Sequence, residues 1–207
     1  MNTLDSLKDE VKELTKNDSA HDFEHIMRVY KNAQKICKQE KVNENLVLSS
    51  VLLHDIVSYP KSDKRSKTSS IQSAKKSKLI LKKYDYSNDE IMIIFNAIRD
   101  HSFSQNKTPE TIEGKILQDA DRLDALGAIG IARVFATGGS LNRPFYNIDD
   151  PFCKQRNPND KIWTLDHFSQ KLFQLESLMN TKSGKIEAKK RTRVLKIFLK
   201  QLKQEIL

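Results

Sequence analysis

Apolar residues recur along this chain at spacings of three and four, the period of amphipathic helices. The pattern predicts a first helix over about 3–16. A second covers "SAHDFEHIMRVYKNAQKICKQE", where Phe23, Ile26, Val29, Ala33, Ile36 and Cys37 form one stripe and Ser19 or Asp22 offers a cap. "NENLVLSSVLLHDI" predicts a third over about 43–57, ended by Pro60, and "TSSIQSAKKSKLILKKY" a fourth over about 68–84. In the fifth, "SNDEIMIIFNAIRDHS", Ile91, Ile94, Ala97 and Ile98 point inward and Ser87 or Asn88 caps the start. A long sixth is expected over about 110–136, closed by Gly138 and Gly139 and buried at the centre after Leu123, because it is apolar almost all round. Residues 139–160 hold 3 of the 5 prolines and read as a long loop. Two further helices are expected over about 161–179 and 183–206. No segment reads as a strand, so the expected fold is all-α, one domain over 1–207 with about seven to nine helices.

Composition narrows the class. With 6 Gly and 5 Pro in 207 residues, a sandwich or barrel with many tight turns is excluded. Cys37 and Cys153 have no metal-ligand spacing and read as free thiols of a reducing compartment. No stretch reaches the ~18 apolar residues of a membrane span, and the first residues lack a signal-peptide apolar region. A cytoplasmic protein without a membrane partner is expected. The net charge of +9 is unevenly placed: residues 61–83 carry 9 Lys+Arg against one Asp, and residues 182–207 carry 9 against 2 Glu. Such segments attract phosphates or anionic surfaces, or are simply solvated helix faces.

Four places put ionisable groups where the apolar pattern predicts core. His21 and His25 lie on one helix face at i,i+4, with His25 beside Ile26. His54 and Asp55 end the apolar run "LLHDI". His101 stands at the end of the fifth helix. Asp119, Asp121 and Asp124 occur in the sixth with only Arg122 to neutralise them. A buried carboxylate needs a partner or a cation, and one arginine cannot serve three. Histidines and aspartates from separate helices suit a first-row divalent ion with positions open to water, and not a closed cysteine-rich zinc site. Each histidine taken alone also fits a satisfied core side chain.

The order His25, His54-Asp55, Asp121 resembles the H…HD…D signature of the HD-domain superfamily of metal-dependent phosphohydrolases. The local contexts "HDFEHIMRV", "LLHDI", "HSFS" and "QDADRLDALGAIGIARVF" are similar to one bacterial branch of it, as is "DHFSQKLFQLESLMNTKSGK" near the C-terminus. The resemblance covers about 18–207. It implies an HD-type helical bundle with a metal-site core over about 18–136. It also implies one divalent metal held by His25, His54, Asp55 and Asp121, the last being the Asp directly before Arg122-Leu123. Mn²⁺ is the ion expected, with Mg²⁺, Fe²⁺, Co²⁺, Ni²⁺ or Zn²⁺ as alternatives. A Glu-Asp pair that alarmone-type HD hydrolases carry after the HD is replaced here by "IVSYPK", and only His101 lies between the HD and the last Asp, which favours one metal over two.

The activity so implied is hydrolysis of (deoxy)nucleoside triphosphates to monophosphate and pyrophosphate. Asp55, His101 and Asp124 are the candidate catalytic residues, and His21, Lys61, Arg65 and Arg122 the candidates for substrate. The expected partner is a small phosphorylated nucleotide, with no nucleic acid; a homodimer stays open. The alternatives are an HD phosphomonoesterase or phosphodiesterase on another nucleotide, and a non-catalytic basic protein that binds nucleotide or nucleic acid.

Overall fold

The computed structural model describes residues 3–15, 23–59 and 63–206. It is all-helical, with no strand among the described residues. Two compact units are present, one reaching to Asp121 and one beginning at Arg122.

In the first unit, α1 (Thr3–Leu14) buries Leu4, Leu7 and Val11 at helical spacing. Helix α2 (Phe23–Cys37) buries Ile26, Val29, Ala33, Ile36 and Cys37, the expected stripe without Phe23. Helix α3 (Glu44–Leu53), capped by the Asn43 side chain on the Asn45 amide, is buried without interruption from Leu46 to Leu53. It is packed by α1, α2, α4 (Ser69–Leu81) and α5 (Asn88–Asp100). A short 3₁₀ turn, Lys64–Thr68, precedes α4. Helix α5 starts with a full capping box between Ser87 and Glu90, which satisfies two of the amides that a helix start leaves open. Helix α6 covers Ile112–Asp124. Gly114 lets it start close to α5: a Cβ there would lie 2.7 Å from Pro109 and 3.4 Å from the Ala97 backbone.

The single long sixth helix is not found. Helix α6 stops at Asp124, and α7 (Gly127–Ser140) begins after a break. Leu126 is extended and Gly127 has φ +73°, a left-handed conformation that favours glycine. Nor is the stretch after Leu123 a buried central helix. Ala128, Ile129, Ala132, Ala136 and Gly139 form an exposed side of α7, so its all-round apolarity comes largely from small residues. Helix α3 is the buried centre instead.

In the second unit, Phe135 meets Phe145, Phe168 and Phe198 at ring distances of 5.3, 6.3 and 5.8 Å. The helix expected over 161–179 is shorter, a helical run over 166–175 that is π-helical over Phe168–Leu172 and ends in α8 (Phe173–Leu175). The reason lies upstream: the Thr164 and Leu165 amides donate to the Pro144 and Phe145 carbonyls, so that backbone is spent on pairing outside a helix. The preceding loop is ordered by its own polar groups. Asp150 accepts from the amides of Lys154, Gln155 and Arg156. Arg156 forks onto Asp166 and lies 4.3 Å from the Trp163 ring. Helix α9 (Lys182–Ile206) closes the chain. Cys37 and Cys153 are both free thiols, and burial pushes them up to about 12 and about 11, which makes them inert near neutral pH.

Candidate metal centre

Two helix ends carry histidines in the first unit. His54 terminates α3 and His101 terminates α5. A helix C-terminus carries partial negative charge, so both ends favour a cation beside them. His25 comes from the first turn of α2, Asp55 follows His54, and Asp121 sits in the last turn of α6.

These side chains converge. His25 Nε2 lies 3.4 Å from His54 Nε2, 3.5 Å from Asp121 Oδ1 and 3.8 Å from Asp55 Oδ2. His54 Nε2 lies 3.6 Å from Asp55 Oδ2. The His54 and His101 rings meet edge to face at 5.1 Å. Two overlapping sets, His25/His54/Asp121 and His54/Asp55/His101, each bring one donor atom per residue within 4.8 Å of the others.

The separations fit a ligand shell better than a hydrogen-bonded cluster. At 3.4–3.8 Å they are longer than the usual hydrogen bond. Donor atoms arranged tetrahedrally about 2.1 Å from a common point lie about 3.4 Å apart, the lower end of the observed range. The tautomers agree. His54 Nδ1 stands 2.7 Å from the Val51 carbonyl and His101 Nδ1 stands 2.6 Å from the Ile98 carbonyl. A carbonyl only accepts, so both Nδ1 atoms carry the proton and both Nε2 atoms present lone pairs. Burial, with the other two histidines, pushes His54 down to about 4, so it stays neutral at pH 7. Burial works against ionisation of Asp121, yet the neighbouring histidines hold its carboxyl below the usual range. A neutral His54 imidazole beside the Asp55 and Asp121 carboxylates is a donor set that could hold a divalent cation.

The other sequence candidates have partners of their own or lie outside the described residues. His21 and Lys61 lie outside them. Arg65 is exposed and its fork grips Asp63 at 2.7–3.2 Å, over the Tyr59 ring. Arg122 donates to the Leu178 carbonyl. Asp124 is buried and accepts from Arg133 at 2.7 Å. Asp119 is fully buried and belongs to neither metal-capable set.

Two positioning residues were missed. Gln118, fully buried, reaches the carbonyls of Asp100, His101 and Lys107 with one amide nitrogen, at 3.3, 3.1 and 2.9 Å, and so fixes the end of α5 that carries His101. Asn32 donates to the Ala120 carbonyl at 3.1 Å and ties α2 to the turn that carries Asp121. A polar residue after an apolar pair, as in "KILQDA", is the sequence trace of Gln118.

Comparison with known proteins agrees. The sequence profile of the HD domain matches residues 22–126. The uncharacterized protein YpgQ of Bacillus subtilis (strain 168) is 31% identical over 198 residues, which is 93% of this chain and 88% of YpgQ. An HD-superfamily hydrolase from Bacillus thuringiensis superimposes with a TM-score of 0.76 at 34% identity, over 98% of this chain and 95% of that one. The structure of B. subtilis YpgQ in complex with ADP superimposes with a TM-score of 0.78 at 27% identity, over 99% and 95%. With its helical fold, its matched segment and its His/Asp cluster, the chain belongs to the HD domain family and has the fold of HD-superfamily hydrolases.

Proposed function

We propose that this protein is a metal-dependent phosphohydrolase that cleaves (deoxy)nucleoside triphosphates to monophosphate and pyrophosphate. The observation that carries the reading is the convergence of His25, His54, Asp55 and Asp121, with the His54 lone pair held toward the carboxylates. These four residues would hold the ion, with Mn²⁺ as the first candidate. When bound, it supplies positive charge that acidifies a water and polarises a phosphoryl oxygen.

The chain's own residues supply the rest. The Val51 and Ile98 carbonyls fix the rings of His54 and His101. His101 takes a proton from the attacking water at Nε2, the nitrogen that its backbone bond leaves open. Asp55 and Asp121 would help to hold the cation, and their carboxylate oxygens can accept hydrogen bonds from the attacking water. Arg65, with Lys61, neutralises phosphate oxygens by exchanging Asp63 for the substrate, since a guanidinium fork matches either anion. Asp124 keeps its carboxylate on Arg133, and proton transfer rests on His101. A nucleotide is the favoured substrate class because YpgQ, which this chain resembles, has been crystallised with ADP.

Product analysis tests this. Metal-stripped protein is incubated with Mn²⁺ and a mixture of deoxynucleoside and ribonucleoside triphosphates, and the products are resolved by ³¹P NMR. Pyrophosphate with monophosphate is expected, absent without metal and absent for His54→Ala. Orthophosphate or triphosphate would move the attacked bond; no product from any nucleotide would overturn the reading.

A further inference from the structure

Helix α9 sorts its charges. At about 100° per residue, Lys182, Lys185, Lys189, Lys196, Lys200 and Lys203 all fall within about 60° of arc, and all six are exposed. At about 1.5 Å per residue the stripe is about 30 Å long. Its two carboxylates lie on the other side and are engaged there. Glu187 accepts from Arg191 at 2.9 Å and pairs with Lys190 at 3.8 Å, and Glu205 accepts from Gln201 at 3.0 Å. A merely soluble helix face intersperses both signs to limit self-repulsion. This one concentrates a single sign along its whole length.

A groove of about 560 Å³ opens beside the stripe within the second unit. Lys185, Lys189 and Lys196 line it together with Phe173 and Ile186, and Glu176 is its one carboxylate. Phe173 is half-buried against Phe168, at 6.5 Å between rings, so its position is fixed by the core. An aromatic wall beside a lysine row about 30 Å long is larger than a mononucleotide needs. It has the two parts of a single-strand binding surface: cations that follow a phosphate backbone and an aromatic face on which a base stacks. A second copy of the chain does not fit the stripe, because a two-fold pairing would set lysine row against lysine row. A lipid surface fits less well: the side of α9 with Gly184, Ala188 and Leu195 is buried in its own unit, and only three large apolar residues of the helix, Ile186, Val194 and Ile197, are exposed.

We propose that the α9 stripe and the Phe173 groove form a binding surface for single-stranded nucleic acid. The test uses the full-length protein in chelator, so that the metal centre plays no part. A fluorescein-labelled single strand of about 20 nucleotides, about 4–16 being covered per aromatic-lined site in other folds, is titrated by anisotropy. With about five lysines on phosphates, affinity should fall about a hundredfold between about 50 and about 200 mM salt. Lys189→Glu with Lys196→Glu should weaken binding at least about tenfold. Lys75→Glu with Lys82→Glu, the same charge change at exposed positions in α4 and just after its end, should change it less than about twofold. Phe173→Leu, which keeps an apolar wall but removes the stacking face, should weaken it about fivefold. Circular dichroism confirms that each variant is folded. The proposal is overturned by absence of saturable binding, by equal losses from the two lysine pairs, or by tighter binding to phosphatidylserine vesicles than to the strand.

Discussion

Gln118→Met separates the positioning of His101 from the metal ligands. Methionine keeps the length and apolar volume of the side chain but removes the amide donors. The Asp100, His101 and Lys107 carbonyls, all within 3.3 Å of Gln118 Nε2, then lose that contact inside the first unit. Leaving a buried acceptor without its donor costs about 1–3 kcal/mol. One amide nitrogen has two hydrogens for three carbonyls, so two bonds are at stake, and about 2–4 kcal/mol is expected. For a chain of this size each kcal/mol moves Tm by about 2–4 °C, which predicts a fall of about 5–15 °C. Because the end of α5 loosens while His25, His54, Asp55 and Asp121 keep their supports, Mn²⁺ content after dialysis should stay near wild type. Turnover should drop at least about tenfold through misplacement of His101. Thermal unfolding by circular dichroism, metal analysis and the pyrophosphate-release rate give the three readouts. A Tm within about 1 °C of wild type would refute the hydrogen-bond argument, and loss of metal together with activity would refute the separation of roles.

Gly127→Ala should destabilise by about 1–2 kcal/mol, because φ +73° is a left-handed conformation that a Cβ opposes; an unchanged urea midpoint would contradict this. Asp166 gives a pH dependence. Burial opposes its ionisation, but the Arg156 fork, the Asn159 amide and the Cys153 thiol hold its carboxyl below the unfolded value. Its contribution is therefore complete above about pH 4 and lost as pH falls through the lower folded value. Wild type should lose more stability than Asp166→Asn between pH 5 and pH 3, both about; urea melts that run parallel would count against the pairing. Cys37→Ser with Cys153→Ser should leave turnover unchanged, since both thiols are held far above neutral pH; a large loss would give one of them a role.

The amino-acid pattern by itself determined the helical class, because apolar spacing of three and four is local information that each segment carries alone. It also determined which ionisable residues were out of place: His54-Asp55 at the end of an apolar run and three aspartates beside one arginine. Those anomalies, with the family resemblance, point to His25, His54, Asp55 and Asp121 as candidate ligands. Tertiary structure decided the rest. Whether His25 is a core histidine or a ligand depends on the 3.4–3.8 Å convergence of three helices, and no local pattern encodes a meeting of residues about a hundred positions apart. The break before α7 turns on one left-handed glycine, which helical periodicity does not register. The late start of the helix expected from residue 161 goes with backbone bonds from residues 164 and 165 to residues 144 and 145, a tertiary contact that local propensity does not register. Gln118 and Asn32 were hidden for the same reason: a buried amide has meaning only through the carbonyls it reaches, and those belong to other helices.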